Sequence, residues 1–362
     1  MSNPIRIGII GSGGIAHSHA RAYKQIPEAT IVAVADVVPG KAAAFIADEG
    51  LEGAQALEDH NRLLELELDG VSVCTPNIAH HRASVDALNA GKHVIVEKPM
   101  SFTLEQGVEM VQAAKRNGKI LTVGFQPRYD PNFQNVKQIV QSGRLGRIYY
   151  VETGGGRRRG IPGGTFIRKE LAGTGAIGDL GCYSLDFALD CLGYPKPLTV
   201  TAVATNHFGT SPRYAHGWKP EDFTVEDFGA AFIRLEGGVE LLFKMSWAMH
   251  LDKLNDSIFL GTEAGLKMVP QKGGPWSGSL EDIDEITVYH DLEGHHTASP
   301  IPVVRRFPSP FVAKVRAFVE AIATGGPAPI PGEQILRQQA IIDGILRSSE
   351  ARKEVAIHIP EV

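Results

Sequence analysis

The feature that most constrains this chain lies near its start, where a β-branched run, Ile5 to Ile10, passes directly into Gly11-Ser12-Gly13-Gly14-Ile15-Ala16. A strand followed by closely spaced glycines and a helical pattern through about Lys24 matches the G-x-G-x-x-A form of a dinucleotide-binding turn. Gly11 permits the tight turn, Gly13 lets the backbone approach a pyrophosphate, and Ala16 lets the helix pack against the strand. The amides of that helix start then face phosphate with a partial positive charge. A second apolar strand, Thr30 to Ala35, ends at Asp36, where the fingerprint places an acid on the adenosine ribose hydroxyls. A 2'-phosphate would be repelled by that carboxylate, and Val37-Val38-Pro39-Gly40 offers no arginine to hold one. NAD is therefore expected over NADP, with Lys41 as the nearby cation that weakens the distinction.

Strand and helix patterns continue to alternate. A helix is expected near Gly40 to Asp48, a strand near Gly53 to Leu57, a helix at His60 to Leu66, and a strand at Gly70 to Cys74. Thr75-Pro76-Asn77 makes a turn before the helix Ala79 to Asn89, which carries His80 in its first turn at a strand tip, a place where a cofactor contact is expected. After the strand Lys92 to Val96 come Glu97-Lys98-Pro99, a helix from about Thr103 to Asn117 and the strand Ile120 to Val123. The run Val94-Ile95-Val96 is short and β-branched, as suits a strand covered on both faces. Its carboxyl end, where open α/β sheets bind ligands, bears an amine flanked by an acid that favours its charged form. These units predict an α/β fold whose first domain, residues 1–123, is a doubly wound Rossmann sheet, with a second domain at 124–362.

Composition excludes several function classes. With 43% apolar and 21% charged residues and a net charge of −5, the 362-residue chain reads as a globular enzyme of two domains and not as a nucleic-acid binder. No apolar run is long enough to cross a membrane, and no basic leader or cleavage pattern precedes Ile5. The three cysteines, Cys74, Cys182 and Cys191, have no metal-type spacing, which fits a reducing cytoplasm; no metal site is expected.

The chain resembles the Gfo/Idh/MocA family, the glucose-fructose oxidoreductase and inositol dehydrogenase relatives. The resemblance is carried by Gly11 to Ala16, Cys74-Thr75-Pro76-Asn77 with His80, Glu97-Lys98-Pro99, Gly124 to Pro131 with Arg128, and Asp179 to Asp186. It implies that residues 124–362 form an α+β domain with a large, mostly antiparallel sheet. It further implies that Lys98 is the catalytic lysine and Asp179 the substrate-side acid. Thr75, Pro76, Asn77, His80, Glu97, Lys98 and Gln126 are expected to join the glycine turn and Asp36 around the cofactor. The substrate class, a sugar or cyclitol, and a homo-oligomeric state, dimer or tetramer, also come from the resemblance. Most relatives have histidine where this chain has Tyr183, whereas some branches share the tyrosine.

In the second half Gly124 is the expected hinge. A helix is expected near Pro131 to Gln141 and a strand at Ile148 to Thr153, ahead of Arg157-Arg158-Arg159 in an exposed loop. A single apolar helix is expected to carry Asp179, Tyr183 and Asp186 on one face, at spacings of four and three. The strands that follow suggest an antiparallel meander, with Trp247 or His250 at a strand end and His295-His296 in a loop. The expected chemistry is hydride transfer between a nicotinamide and a secondary alcohol or ketone. In it Lys98 stabilises charge developing on oxygen, Tyr183 relays the proton and Asp179 orients hydroxyls. Two alternatives stay open: an NAD-retaining glycosidase or lyase acting through transient oxidation, and a non-catalytic dinucleotide-binding regulator.

Overall fold

The computed structural model describes residues 3–251, 254, 256–270 and 283–362. The chain divides into two compact units. One comprises residues up to Gln126 with Pro308–Leu336 and Pro360–Val362; the other comprises Pro127–Phe307 with Arg337–Ile359.

In the first unit, β1 (Ile5–Ile10), β2 (Ala29–Ala35), β3 (Gln55–Leu57), β4 (Gly70–Val73), β5 (His93–Val96) and β6 (Leu121–Val123) form one sheet in the order β3-β2-β1-β4-β5-β6. Every pairing is parallel. This is the doubly wound arrangement, and its order reverses between β1 and β4, the place where such sheets bind ligands. Helices Gly14–Tyr23, Lys41–Glu49, His60–Leu64, Asn77–Asn89 and Leu104–Asn117 connect the strands. Both sheet faces are covered, which is why β4 is buried along its whole length and β5 over Val94 to Val96. Ile9, Ala16, Ala20, Val34 and Phe45 belong to one core cluster. The other joins Ile7, Tyr23, Ile26 and Ile95 to Val315, Phe318 and Val319 of the helix Pro310–Thr324. That helix sits so close to β4 that a methyl on Gly70 would lie 2.9 Å from Ile322 and 3.0 Å from Phe318.

The second unit is built on β7 (Ile148–Gly156), β8 (Pro197–Thr205), β9 (Phe228–Leu235), β10 (Val239–Ser246), β11 (Ser257–Gly261), β12 (Ala264–Pro270), β13 (Ile283–Leu292), β14 (His295–Ile301) and β15 (Val355–Ala356). Their order is β14-β13-β12-β11-β7-β10-β9-β8-β15. The expected meander is correct within β8 to β10 and within β11 to β14, but β7 joins the two halves by pairing parallel with β10. Close pairing at the end of β7 depends on glycine, since a methyl on Gly154 would fall 2.0 Å from the Lys244 carbonyl oxygen. His295 and His296, expected in a loop, open β14 opposite Leu292 and Asp291. The helices Pro131–Gln141 and Gly181–Cys191 pack on each other through Phe133 and Phe187, whose stacked ring centroids lie 4.2 Å apart.

The single helix expected through Asp179 and Asp186 is two, Ala176–Asp179 and Gly181–Cys191, separated at Leu180. Gly181 has no room for a side chain, because a methyl there would lie 2.6 Å from Phe243.

Candidate active site

Five neighbouring strands end at residues singled out by sequence. Asp36 follows β2, Gly11 follows β1, Thr75 lies just beyond β4, Lys98 just beyond β5 and Gln126 beyond β6, in the spatial order of the strands. Parallel strands aim their carboxyl ends the same way, so these groups share one edge. From Asp36 to Lys98 is three strand spacings, about 14 Å.

Gly11 turns the chain at φ 89°, and a methyl on it would lie 2.8 Å from the backbone of Cys74 and Thr75. Only glycine satisfies both the positive φ and the close approach. Gly13 precedes the helix that starts at Gly14; no side chain caps that helix and no acid lies in its first turn. A methyl on Gly13 or Gly14 would meet nothing within 4 Å. Ala16 is fully buried and Ile15 partly so, which seats the helix on the sheet. Asp36 accepts from the Ser12 amide at 2.9 Å, the Ser12 hydroxyl at 2.7 Å and the Val38 amide at 3.0 Å, with Lys41 Nζ at 3.2 Å. Burial works to raise its pKa, but those donors outweigh burial and hold it below the usual carboxylate range.

The Thr75 hydroxyl oxygen is buried and makes no hydrogen bond. Pro76 precedes the helix that begins at Asn77. Open space over the glycines, uncapped first-turn amides and this unmatched hydroxyl fit a dinucleotide on the strand tips. His80, expected as a cofactor contact, is buried with Nδ1 2.7 Å from the Pro99 carbonyl and Nε2 3.0 Å from the Thr75 carbonyl. It therefore ties the turn after β4 to the turn after β5. Burial lowers its pKa against the pull of those carbonyls. Glu97 turns inward to His19 and Lys314, while Lys98 stays partly exposed and its peptide bond to Pro99 is cis. Gln126 is buried at the start of a short 3₁₀ turn.

In the second unit Asp179 ends its short helix, and its Oδ2 accepts the Trp247 indole N–H at 3.1 Å. Tyr183 is buried in the first turn of the next helix. Asp186, expected on the same polar face, is occupied elsewhere. Arg128 holds it with Nε at 2.9 Å and Nη2 at 2.7 Å, and the Tyr194 hydroxyl donates to it. This buried, two-point pair anchors the helix Gly181–Cys191 to the residues around Arg128.

The arginine loop also divides. Arg159 lies over the rings of Phe208 and Tyr214, at 4.8 and 4.7 Å, and donates to the Met249 carbonyl. Arg157 is half-buried, and burial lowers its pKa although the Asp179 charge opposes that.

Sequence reasoning missed Glu226. It lies just before β9, and its side chain accepts the Gly175 amide at 2.7 Å and the Ile177 amide at 3.1 Å, while its carbonyl takes the Ala176 amide at 3.0 Å. Three consecutive amides at the entry to the Asp179 helix are thus satisfied by one residue about fifty positions further along the chain. The next residue, Asp227, accepts the Trp247 amide at 2.8 Å, so one dipeptide holds both the helix and the indole that bonds Asp179. An acid before an apolar strand carries no local sign of this role. His19 and Lys314 were missed for the same reason.

Comparison with known proteins places this architecture. Residues 5–125 match the model described as an oxidoreductase family with an NAD-binding Rossmann fold, and residues 133–267 match the GFO/IDH/MocA C-terminal domain. The D-glucoside 3-dehydrogenase of Escherichia coli (strain K12) is 35% identical over 276 residues, spanning 74% of this chain and 78% of that protein. The chain belongs to the Gfo/Idh/MocA oxidoreductase family. A second relative, the scyllo-inositol 2-dehydrogenase (NAD(+)) of Bacillus subtilis (strain 168), is 31% identical over 53% of this chain and 55% of its own length. The solved structure of levoglucosan dehydrogenase in complex with NADH superimposes with a TM-score of 0.83 at 22% identity, covering 99% of this chain and all of that one, a likeness of fold. This member of the family is thus an oxidoreductase with an NAD-binding Rossmann domain and a large mixed sheet. Among the described residues no helix is long and apolar enough to cross a membrane.

Proposed function

We propose that this protein oxidises a secondary alcohol of a sugar or cyclitol, or reduces the corresponding ketone, with NAD as hydride partner. The observation that carries the reading is the row of strand tips. A dinucleotide turn, a ribose-side acid and a lysine stand along one sheet edge, in a chain 35% identical to a glucoside dehydrogenase. Gly11 to Ala16 and Asp36 would hold the dinucleotide, with Thr75, Pro76, Asn77 and Gln126 flanking it, and His80 and Glu97 fix the turns on which those contacts depend. A bound nicotinamide supplies the hydride acceptor or donor. Lys98 places a cation where negative charge develops on the substrate oxygen, which stabilises the transition state more than the ground state. Tyr183 carries the proton, and Asp179, oriented by Trp247, accepts hydrogen bonds from substrate hydroxyls. The relatives are dehydrogenases, which favours this reading over the lyase and the regulator.

Asp36 supports NAD over NADP, with Lys41 the group that tempers the preference. We also read the protein as a cytoplasmic homo-oligomer, dimer or tetramer. Three buried free thiols and exposed apolar side chains on the large sheet, Tyr149, Val203 and Tyr289, support this, and light scattering measures the mass.

The test is a screen of sugars, glucosides and inositols with both dinucleotides, followed by NADH absorbance, on wild type and Lys98→Met. Methionine keeps the stem and removes the charge. Loss of a transition-state donor costs about 3 to 4 kcal/mol, so turnover should fall about 10²- to 10³-fold while NAD affinity and the thermal melt hold. Near-normal turnover in the variant would leave Lys98 as a strand end and nothing more.

A further inference from the structure

Beneath the Lys98 turn lies a buried polar network that the dinucleotide motif does not require. Lys314, on the helix Pro310–Thr324, is fully buried and donates to Glu97 Oε1 at 2.5 Å. The His19 ring has Nε2 2.8 Å from that oxygen and 3.2 Å from Lys314 Nζ, with Nδ1 3.1 Å from the Ser72 hydroxyl. Tyr23 reaches the same hydroxyl at 2.8 Å.

A carboxylate only accepts and an ammonium only donates, so the shorter contact to Nε2 puts a proton on it. His19 then donates to Glu97, accepts from Ser72 at Nδ1 and is neutral. Burial, and then the Lys314 charge, push its pKa down, in keeping with that form. The remaining Glu97 oxygen accepts the Lys98 amide at 3.3 Å. A methyl on Gly124 would lie 2.7 Å from Glu97 Oε1 and 3.3 Å from Lys314 Nζ, so the glycine read as a hinge is also required by this network.

We propose that Lys314 is a positioning residue for Lys98: it neutralises Glu97 and holds that carboxylate on the Lys98 amide. This rests on the role given to Lys98 above. Removing Lys314 would leave a buried, uncompensated anion one residue from Lys98, and its charge would act on the Lys98 ammonium. Titratable groups that act on this pair include His19 on the first helix, Cys74 after β4, His80 on the helix Asn77–Asn89 and Lys314 itself, with Tyr23 reaching it through Ser72.

The experiment measures two things on wild type, Lys314→Met, Lys314→Arg and the double variant Glu97→Gln/Lys314→Met. One is the pH midpoint of Lys98 acetylation, read by mass spectrometry. The other is steady-state turnover with NAD binding beside it. In Lys314→Met the acetylation midpoint should rise by about one pH unit and kcat should fall about tenfold or more, with sugar KM and NAD affinity within about threefold. Arginine should restore most of both. The double variant leaves no unpaired buried charge; its midpoint should match wild type while kcat stays about tenfold low, because the anchor on the Lys98 amide has lost its charge. An unmoved midpoint in folded Lys314→Met, or wild-type kcat in the double variant, overturns the proposal. If wild type turns over no sugar, the functional reading falls, and the acetylation midpoints alone decide whether Lys314 governs Lys98.

Discussion

Each unit buries one glutamate beneath a residue proposed for the reaction, and the two glutamates are in opposite electrostatic states. Burial works to raise the pKa of both. At Glu97, in the first unit, the Lys314 ammonium and the His19 hydrogen bond overcome burial and hold the carboxyl far below its ordinary range. At Glu226, in the second unit, backbone amides and the charge of Lys169 oppose burial without overcoming it, and the pKa is raised to about 7. Peptide dipoles stabilise a buried carboxylate, but a full positive charge in contact decides whether it stays ionised. Hence the glutamate under Lys98 stays ionised at neutral pH, whereas the one capping the Asp179 helix changes charge near pH 7.

The same substitution at both glutamates should separate them. Glu97→Gln strands the Lys314 ammonium in the interior, and breaking a buried pair in this way costs about 3 to 5 kcal/mol. Urea unfolding at pH 7 measures it; a loss under about 1 kcal/mol would mean that water or another group reaches Lys314.

The effect of Glu226→Gln should depend on pH. A carboxyl whose pKa rises on folding keeps its proton in the folded state while the unfolded chain releases it. Wild type should therefore lose stability as pH climbs from about 4.5 to about 7, by about 3 kcal/mol in all. Glutamine still accepts the Gly175 and Ile177 amides but has no proton to lose. The variant's stability relative to wild type should be greater at pH 8 than at pH 5, and parallel wild-type and variant curves in urea would show that Glu226 does not titrate there. Glu97 runs the other way: its depressed pKa contributes stability above its ordinary range that disappears as the solution turns acid.

Asp36 sharpens the comparison with a third buried acid, whose charge is held by local amides, the Ser12 hydroxyl and a half-exposed lysine. Asp36→Ser should narrow the affinity gap between NAD and NADP by about tenfold, equal to about 1.4 kcal/mol, measured by titrating both dinucleotides. An unchanged ratio would mean that this carboxylate does not face the ribose.

What the sequence alone determined is the part of the molecule that local patterns encode. The glycine turn, the buried strands that end at Asp36 and Lys98, and the short helices between them follow from side-chain period and turn chemistry over a few residues. The parallel pairing of β7 with β10 does not, because it joins residues about ninety positions apart through backbone groups that look alike in every strand. The break at Leu180 and the packing of Gly181 against Phe243 of a distant strand had no local sign either. Only the tertiary structure showed Asp186 turned to Arg128, Glu226 capping the Asp179 helix, and His19 and Lys314 closed around Glu97. A lysine within Phe311-Val312-Ala313-Lys314-Val315 reads as the solvated face of an amphipathic helix. Burying it is favourable only where the fold supplies a carboxylate to meet it, and that partner lies more than two hundred residues away in the chain.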